Sequence, residues 1–437
     1  MTRTTLRAAA AAAALAAFPA AAQDHSGHDM PGMTMPETPA PAPQDHSQHD
    51  MAGMDMGEEA PATLATGSGT SRLPAAEGAM HGVHLPAGEW MVMAHGYAWG
   101  VYTDQGGPRG DDMAFVESMA MLSGERDFGG VRLQLRSMFS LEPAMGARGY
   151  PNLFATGETA GGVSLVDRQH PHDLFMELSG RLDFDIGDDS ALFVYGGPVA
   201  EPALGPSAFM HRASARYLPL APITHHWFDS THISYGVVTA GYTAAKFQLE
   251  ASAFRGREPD ERRWNIETPR LDSWSVRASY APSANWLAQI SYGRLNDPEQ
   301  LHPGEDEGRA TASVQYARGG LSAMLAFSAK NRIPGQTLTA WLGEANWDLS
   351  AHHSLFGRIE NVANDELFAD HASPLHDRTF RITKAELGYA WRTPLTGPVN
   401  LALGGTVMAY AKPAALDAYY GKNPLGFTVF AKLSLGD

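Results

Sequence analysis

Apolar and polar residues alternate with a period of two along most of the chain after residue 89, in segments of about ten residues. In 273–280, apolar residues from Trp274 to Tyr280 alternate with three serines and Arg277. The same pattern recurs in 246–252, 286–292, 310–316 and 427–435. Because successive side chains of a β-strand point to opposite faces, each segment predicts a strand with one apolar and one polar face.

These segments predict an all-β barrel of about sixteen antiparallel strands. An even number of strands places both ends of the barrel on the same side. The predicted strands span 89–103, 112–123, 130–141, 174–186, 190–198, 233–243, 245–255, 272–281, 284–295, 308–317, 320–331, 336–349, 352–363, 378–392, 397–411 and 425–435.

The connections between the predicted strands are sorted by length. The even-numbered ones are short, as at Pro282-Ser283 and Arg318-Gly319. The odd-numbered ones are mostly long, among them 142–173, 199–232, 256–271, 296–307, 364–377 and 412–424. Aromatic residues also end several apolar faces, where the girdles of a membrane barrel lie. A soluble sandwich has no reason to sort its loops, so residues 89–437 are predicted to form a transmembrane β-barrel.

The first 22 residues predict that the protein is exported from the cytoplasm. Residues 1–22 combine the basic Arg3 and Arg7, an apolar run and a final Ala20-Ala21-Ala22, which is typical of a secretory signal peptide. No later stretch reaches the roughly eighteen apolar residues of a membrane-spanning helix. The chain has no cysteine, which excludes disulfides and thiolate metal sites, and its net charge of −16 argues against nucleic acid as a partner. We expect an outer-membrane protein of a Gram-negative bacterium, in contact with lipid.

Residues 23–88 are predicted to be a disordered tail on the periplasmic side. They are rich in Pro, Ala, Gly, His, Met and Asp, and they show no apolar periodicity. Within the tail, the segment 24–35 is repeated as 45–56.

The repeats suggest that the tail binds copper. Each repeat offers two histidines and three methionines within twelve positions. Thioether sulfur selects Cu(I), and imidazole suits Cu(II), zinc and nickel. A zinc or nickel store has no need of so many methionines, so Cu(I) and Cu(II) are the expected ligands, and no organic cofactor is expected. The alternative is a low-complexity linker with incidental His and Met. The candidate tail ligands are His25, His28, Met30, Met33, Met35, His46, His49, Met51, Met54, Met56, Met80, His81 and His84.

The tail resembles the Asp-His-Ser and Met-rich N-terminal segment of the copper resistance protein B family, outer-membrane proteins of bacterial copper-resistance systems. Two barrel segments, 167–173 (DRQHPHD) and 221–229 (APITHHWFD), are similar to segments of uncharacterised proteobacterial outer-membrane proteins found with copper-resistance genes. The first resemblance implies copper binding, and the second implies no established activity.

The first strands predict a thioether ladder on the lumen wall. By alternation, Met93 and His95 share one face of their strand, and Met119 and Met121 share one face of the next. A hairpin turning near residue 107 would place Met93 opposite Met119 or Met121, and His95 near Glu117 or Met119. The alternative is plain packing, since methionine fills irregular gaps.

The two longest outer loops contain six histidines: His170, His172, His211, His225, His226 and His232. Long loops often fold into a barrel. We therefore predict a second metal site at His170, His172, His225 and His226, with Asp167, Asp173 or Asp229 as carboxylate partners. The alternative is that these histidines only hold the loops through hydrogen bonds.

The sequence as a whole predicts a barrel in copper homeostasis, whose tail captures copper for sequestration or passage and exchanges it with periplasmic copper-handling proteins. The alternatives are a general or solute-specific porin with an incidental tail, and a closed structural or surface-binding barrel. No nucleophile elbow or phosphate-binding glycine loop occurs, so enzyme activity is not expected.

Overall fold

A computed structural model describes residues 67–78 and 82–436. Sixteen strands, each antiparallel to its neighbours, close into a barrel. They are β1 (Trp90–Gln105), β2 (Asp112–Asp127), β3 (Val131–Phe139), β4 (Phe175–Gly187), β5 (Ser190–Ala200), β6 (Ser234–Ala244), β7 (Phe247–Phe254), β8 (Ser273–Ser283), β9 (Trp286–Leu295), β10 (Asp306–Arg318), β11 (Leu321–Ile333), β12 (Thr337–Asp348), β13 (His353–Asn364), β14 (Phe380–Thr396), β15 (Val399–Ala411) and β16 (Leu425–Leu435).

Consecutive strands pair all the way round, and β16 pairs with β1 from Leu435 opposite Gly96 to Gly426 opposite Gln105. This closure confirms the predicted strand number and order. The short connections at one end are 128–130, 188–189, 245–246, 284–285, 319–320, 349–352 and 397–398. The connections at the other end are 106–111, 140–174, 201–233, 255–272, 296–305, 334–336, 365–379 and 412–424. Only 334–336 breaks the predicted sorting by length.

The barrel carries its apolar side chains outward and its polar ones inward. In β8, Trp274 and Val276 are 48% and 44% exposed, whereas Arg277 is 3% exposed. An outer wall of this kind is stable against lipid rather than against water. The exposed aromatic residues at strand ends include Trp274, Tyr280, Trp286, Tyr292, Trp341, Trp347, Tyr389 and Trp391.

Helices are short. The one-turn α-helices are α1 (His225–Phe228) and α2 (Asp417–Tyr420), and the 3-10 turns are Ala75–Glu77, Glu142–Met145, Phe209–His211, Ala213–Ala215 and Ala414–Leu416. In the described ranges, no helix has the length and apolar character needed to cross a membrane. Loop 140–174 adds two small sheets, in which Tyr150–Pro151 pairs with Arg168–Gln169 and Glu158–Ala160 pairs with Val163–Leu165.

Two loops fill the lumen: the first lumen loop, 140–174, and the second lumen loop, 201–233. Their apolar residues, such as Phe154 and Leu220, are buried in one cluster with Leu342 and Ile382 of the barrel wall. Because burial of apolar surface is the main stabilising term in folding, this contact holds the loops inside the barrel.

Polar contacts fix the same loops to the inner wall. Arg212 Nε donates a hydrogen bond to Glu344 Oε1 at 2.6 Å, and Thr224 Oγ1 donates to Glu360 Oε1 at 3.0 Å. Around them the wall is lined with buried ion pairs: Arg136–Glu177, Arg181–Asp183, Arg277–Glu250, Arg309–Glu307 and Arg358–Glu386. The charged face predicted by alternation therefore points into a lumen that the loops close.

The described structure begins inside the lumen, which shortens the predicted tail of 23–88. Gly67–Ser71 are buried, and the backbone N–H of Ser68 donates to Ser207 Oγ at 2.9 Å. Thr70 donates to Glu250, and Ala76 N donates to the carbonyl of Ala284 in a short turn, at 2.8 Å. These hydrogen-bond partners come from residues far along the chain. The composition of 23–88, which suggests disorder, therefore gives no sign of them. A strand at Val83–Ala87 then pairs with β1.

Candidate metal centre

The two lumen loops meet around a small cavity of about 10 Å³, which has room for one ion or one water molecule. Five histidines line it: His170, His172, His225, His226 and His232. Three carboxylates line it as well: Glu158, Asp173 and Glu258, the last from the connection 255–272. Neighbouring rings lie close together, with centroids 5.3 Å apart for His225 and His232 and 6.0 Å apart for His170 and His226.

Local backbone structure orients the imidazoles. His170 Nδ1 lies 3.1 Å from the carbonyl of Pro171, and His232 Nδ1 lies 2.5 Å from the carbonyl of Asp229. A carbonyl only accepts, so each Nδ1 carries the hydrogen and each Nε2 keeps a lone pair. This arrangement is the usual one for a metal-binding histidine, whose other ring nitrogen donates to a carbonyl or carboxylate.

His226 is oriented by a carboxylate in the same way. Its Nδ1 lies 3.2 Å from Glu258 Oε1, which leaves Nε2 on the opposite side of the ring. One donor atom each from Glu158, His170 and His226 lies within 4.8 Å of the others. Tetrahedral ligands on an ion such as zinc are roughly 3.3 Å apart, so small rotations of these side chains would bring them into coordination.

Four buried ring nitrogens have no hydrogen-bond partner among the described residues: His170 Nε2, His225 Nδ1, His226 Nε2 and His232 Nε2. Most buried polar atoms in native proteins are hydrogen-bonded, and an unsatisfied one costs about 1–3 kcal/mol. Four at one cavity can be satisfied by a ligand or a water molecule placed among them, and a metal ion would use the lone pairs on nitrogen directly.

The electrostatics keep most of these imidazoles ready to coordinate. Burial lowers the pKa of His170 and His225 well below the ordinary value, and it lowers that of His232 to about 3. These rings are therefore neutral near pH 7. Burial also lowers the pKa of His226, but Glu258 outweighs it and raises that pKa to about 9, so a metal would displace one proton there.

The surrounding charged residues hold the carboxylates in place. Arg263 Nη2 donates to Glu158 Oε2 at 2.7 Å, and Arg263 Nη1 donates to Asp173 Oδ2 at 3.3 Å. Glu158 Oε1 lies 3.5 Å from His170 Nε2. Burial raises the pKa of Glu158 to about 7, although Arg263 opposes this shift. One oxygen of Glu158 is thus anchored while the other faces the histidines.

The structure brings together the four loop histidines predicted from the sequence and corrects their partners. His172 is also oriented by a carboxylate, with Nδ1 2.8 Å from Glu142 Oε2. No nitrogen of His172 is among the buried ones without a hydrogen bond, so it is left out of the central donor set. Asp167 instead pairs with Arg109 at 2.7 Å, and Asp229 pairs with Arg212 at 3.3 Å, because each faces an arginine across the loop packing. Of the three predicted carboxylates only Asp173 lines the cavity.

Glu158 and Glu258 are carboxylates that sequence reasoning missed. They lie far from the histidines along the chain, and no local pattern marks them. His232 is one of the six loop histidines but not one of the four that the sequence predicts for the site. It occurs in the same loop as the adjacent pair His225 and His226, which is the one signal that could have included it.

The methionines predicted for the ladder lie on the lumen side. Met93, Met119 and Met121 are 7%, 2% and 3% exposed and belong to one buried cluster. The predicted register is wrong, however: Met93 is opposite Ser123, and His95 is opposite Met121.

The cause is the turn, which is centred on residue 108 rather than 107, since Asp104 pairs with Asp112. Among the tail candidates only His84 is described, and it is exposed in the strand Val83–Ala87. The others, His25 to His81, lie outside the described residues.

No protein-family model and no curated protein matches the chain. Solved porin structures are similar in fold. The structure titled as a complex of Salmonella typhi OmpF with daunomycin is 8% identical, with a TM-score of 0.53 over 81% of this chain and 100% of that one. The anion-selective porin from Comamonas acidovorans is 13% identical, with a TM-score of 0.49 over 79% and 100% of the two chains. The first likeness supports the barrel fold alone.

Proposed function

We propose that this protein is an outer-membrane barrel that binds a transition-metal ion, with copper as the principal candidate, at a centre inside its closed lumen. The observation that carries the proposal is the set of four buried, unpartnered imidazole nitrogens at one ion-sized cavity. His170 Nε2, His226 Nε2 and a Glu158 oxygen are the proposed primary ligands. His225 and His232 complete the donor set.

Several ions suit imidazole and carboxylate ligands, so the choice of copper rests on the neighbouring sulfur. The methionine cluster of the barrel and the Met/His repeats at 24–35 and 45–56 both supply thioethers. Because thioethers favour Cu(I) and imidazoles accept Cu(II), the chain can bind both oxidation states. The tail is proposed to capture copper on the periplasmic side, in exchange with periplasmic copper-handling proteins, as the resemblance to copper resistance protein B implies.

The outer membrane is the proposed location. The wall exposes large apolar side chains such as Ile290 and Leu387, at 63% and 65%, between rows of exposed aromatic residues. This combination fits lipid contact around a bacterial barrel. A porin is the second candidate function, because sixteen-stranded barrels commonly enclose an aqueous channel. It would require the lumen loops to leave their buried positions.

Replacing His170 or His226 with glutamine in the full-length protein tests the metal centre. Each substitution removes one proposed ligand, so we expect the affinity of the barrel for Cu(II) to fall by about 100-fold or more. Competition titration against a chelator measures the Cu(II) affinity. The tail is the same in every variant, so it contributes equally to every isotherm. His353→Gln, in an exposed strand end, is the matched control. If the isotherms of both variants coincide with those of the parent and the control, the proposed metal centre is wrong.

Gly157→Ala is a second, more conservative test. A Cβ on Gly157, whose φ is +115°, would lie 2.6 Å from His226 Nε2, so the ring must leave the position that places this nitrogen near Glu158 and His170. We expect at least about ten-fold weaker metal binding. Gly161→Ala is the control, since Gly161 also has a positive φ, +63°, but nothing lies within 4 Å of its Cβ. Equal affinities of the two variants would show that the position of His226 is irrelevant to metal binding.

A further inference from the structure

Five methionines form a buried cluster on the inner wall beside the histidine centre: Met93, Met119, Met121, Met138 and Met176. All are at most 7% exposed. They come from four neighbouring strands, β1 to β4, and they pack with Val199, Ile233 and Tyr235. Five of the nineteen methionines of the chain are thus brought into one patch of the lumen.

The strand register places the sulfur-bearing side chains next to one another. Met121 is directly opposite Met138, and Met119 lies two positions along the same face of β2. A register shift in the pairing of β3 with β4 then allows both Met176 and Glu177 to be buried, although they are consecutive residues. Such a bulge re-aims a side chain, and here it adds a fifth thioether to the cluster.

The cluster extends from the barrel end to the histidine centre. At the short-turn end, exposed His84 pairs with Met93 in the register of the strand Val83–Ala87 with β1. At the inner end, Ile233 both packs in the methionine cluster and lines the histidine cavity. The methionine cluster and the histidine cavity thus share the side chain of Ile233.

A second route of contact runs through the second lumen loop. Met210 packs against the methionine cluster, and with His95 and His211 it lines a cavity of about 90 Å³. His211 Nε2 is buried and has no hydrogen-bond partner among the described residues. The cavity therefore joins thioether and imidazole donors between the wall and the loops.

We propose that the five methionines bind a soft monovalent cation, Cu(I), and form a thioether path from the short-turn mouth at His84 to the histidine centre. Thioethers are neutral, soft ligands, so they bind Cu(I) and exclude hard or strongly hydrated divalent ions. The ion moves without a change of oxidation state. This inference rests on the proposed function for its destination, but the methionine site is testable by itself.

Nuclear magnetic resonance of the full-length protein, labelled with ¹³C at the methionine methyl groups, tests the path with Ag⁺ as a redox-inert probe. We expect the methyl signals of Met119, Met121 and Met138 to shift stoichiometrically with added Ag⁺. The double variant Met121→Leu/Met138→Leu should bind one equivalent of Ag⁺ less than the parent. Met324→Leu, which removes another buried methionine from the same barrel, should bind as much as the parent.

Leucine fills nearly the volume of methionine, so the double variant keeps the packing and removes only the sulfur. A cluster that serves packing alone would leave the Met119, Met121 and Met138 signals unmoved while tail signals shift, and this result overturns the path. The two proposals can fail independently of each other. If His226→Gln loses Cu(II) binding but Ag⁺ does not move the cluster signals, the histidine centre stands and the methionine path is wrong. Shifted cluster signals with unchanged Cu(II) binding in His226→Gln leave only the methionine site.

Discussion

Arg212→Met is expected to lower the free energy of unfolding by about 3–5 kcal/mol, the usual cost of removing one partner from a buried ion pair. Arg212 is paired with Glu344 at 2.6 Å and with Asp229 at 3.3 Å, and all three side chains are at most 1% exposed. Methionine can occupy the volume but leaves Glu344 and Asp229 without the guanidinium that pairs with them. The guanidinium also donates to the carbonyl of Ser207 at 2.7 Å, so the substitution removes a hydrogen bond within the second lumen loop as well as its ion pair with Glu344 of β12.

Urea unfolding of the protein in lipid or detergent measures this loss. Arg294→Met is the control, because the ion pair of Arg294 with Asp306 has a similar length, 2.8 Å, but about a third of each side chain is exposed. Exposed pairs contribute at most about 1 kcal/mol. If the two variants lose equal stability, the second lumen loop is not held by its buried charges.

The second large effect concerns conductance. Full-length protein in planar bilayers is expected to show no porin-like steps, because the lumen loops and Gly67–Ser71 occupy the interior. Replacing 206–230 with a short Gly-Ser linker removes most of the second lumen loop and should open a narrow aqueous channel beside the first, since a sixteen-stranded barrel is wide enough to hold one. The barrel strands pair independently of this segment, so the wall remains closed.

A matched deletion separates this effect from simple loop loss. Shortening the connection 365–379 by removing 370–376, which lies at the same end and is largely exposed, should leave the conductance unchanged. If the parent protein already conducts as much as the 206–230 variant, the porin function is favoured. Such a result would show that the loops leave the lumen in a membrane.

The barrel could be predicted from the sequence because the pattern that indicates each strand lies within the strand's own residues. Alternation in segments such as 273–280 depends only on neighbours, and the length of the connections fixes which end each one occupies. The register between β1 and β2 could not be read in the same way. A shift of the turn centre by one residue moves every partner by two, so Met93 meets Ser123 and not Met121.

The proposed metal centre could be predicted only in part, for a similar reason. The motif around Pro171 and the pair His225 and His226 concentrate imidazoles in two loops, which is visible in the sequence. Glu158 and Glu258 reach the same cavity through the folding of the loops. The residue at which the tail ends could not be predicted either, because the hydrogen bond from Thr70 to Glu250 forms only when the barrel is folded.

The closed lumen and the proposed metal centre are expected to depend on each other. Burial in the loop-filled interior keeps His170, His225 and His232 neutral, and neutral imidazoles are the form that binds metal. An open water-filled pore would hydrate the same rings. The contacts that close the barrel, such as Arg212 with Glu344, are therefore expected to support metal binding as well as stability.

The most direct test of the central claim is a crystal structure of the full-length protein grown with copper, with anomalous diffraction measured at the copper edge. We expect an anomalous peak in the loop cavity, about 2 Å from both His170 Nε2 and His226 Nε2. A cavity without such a peak, with water hydrogen-bonded to these nitrogens at saturating copper, would contradict it.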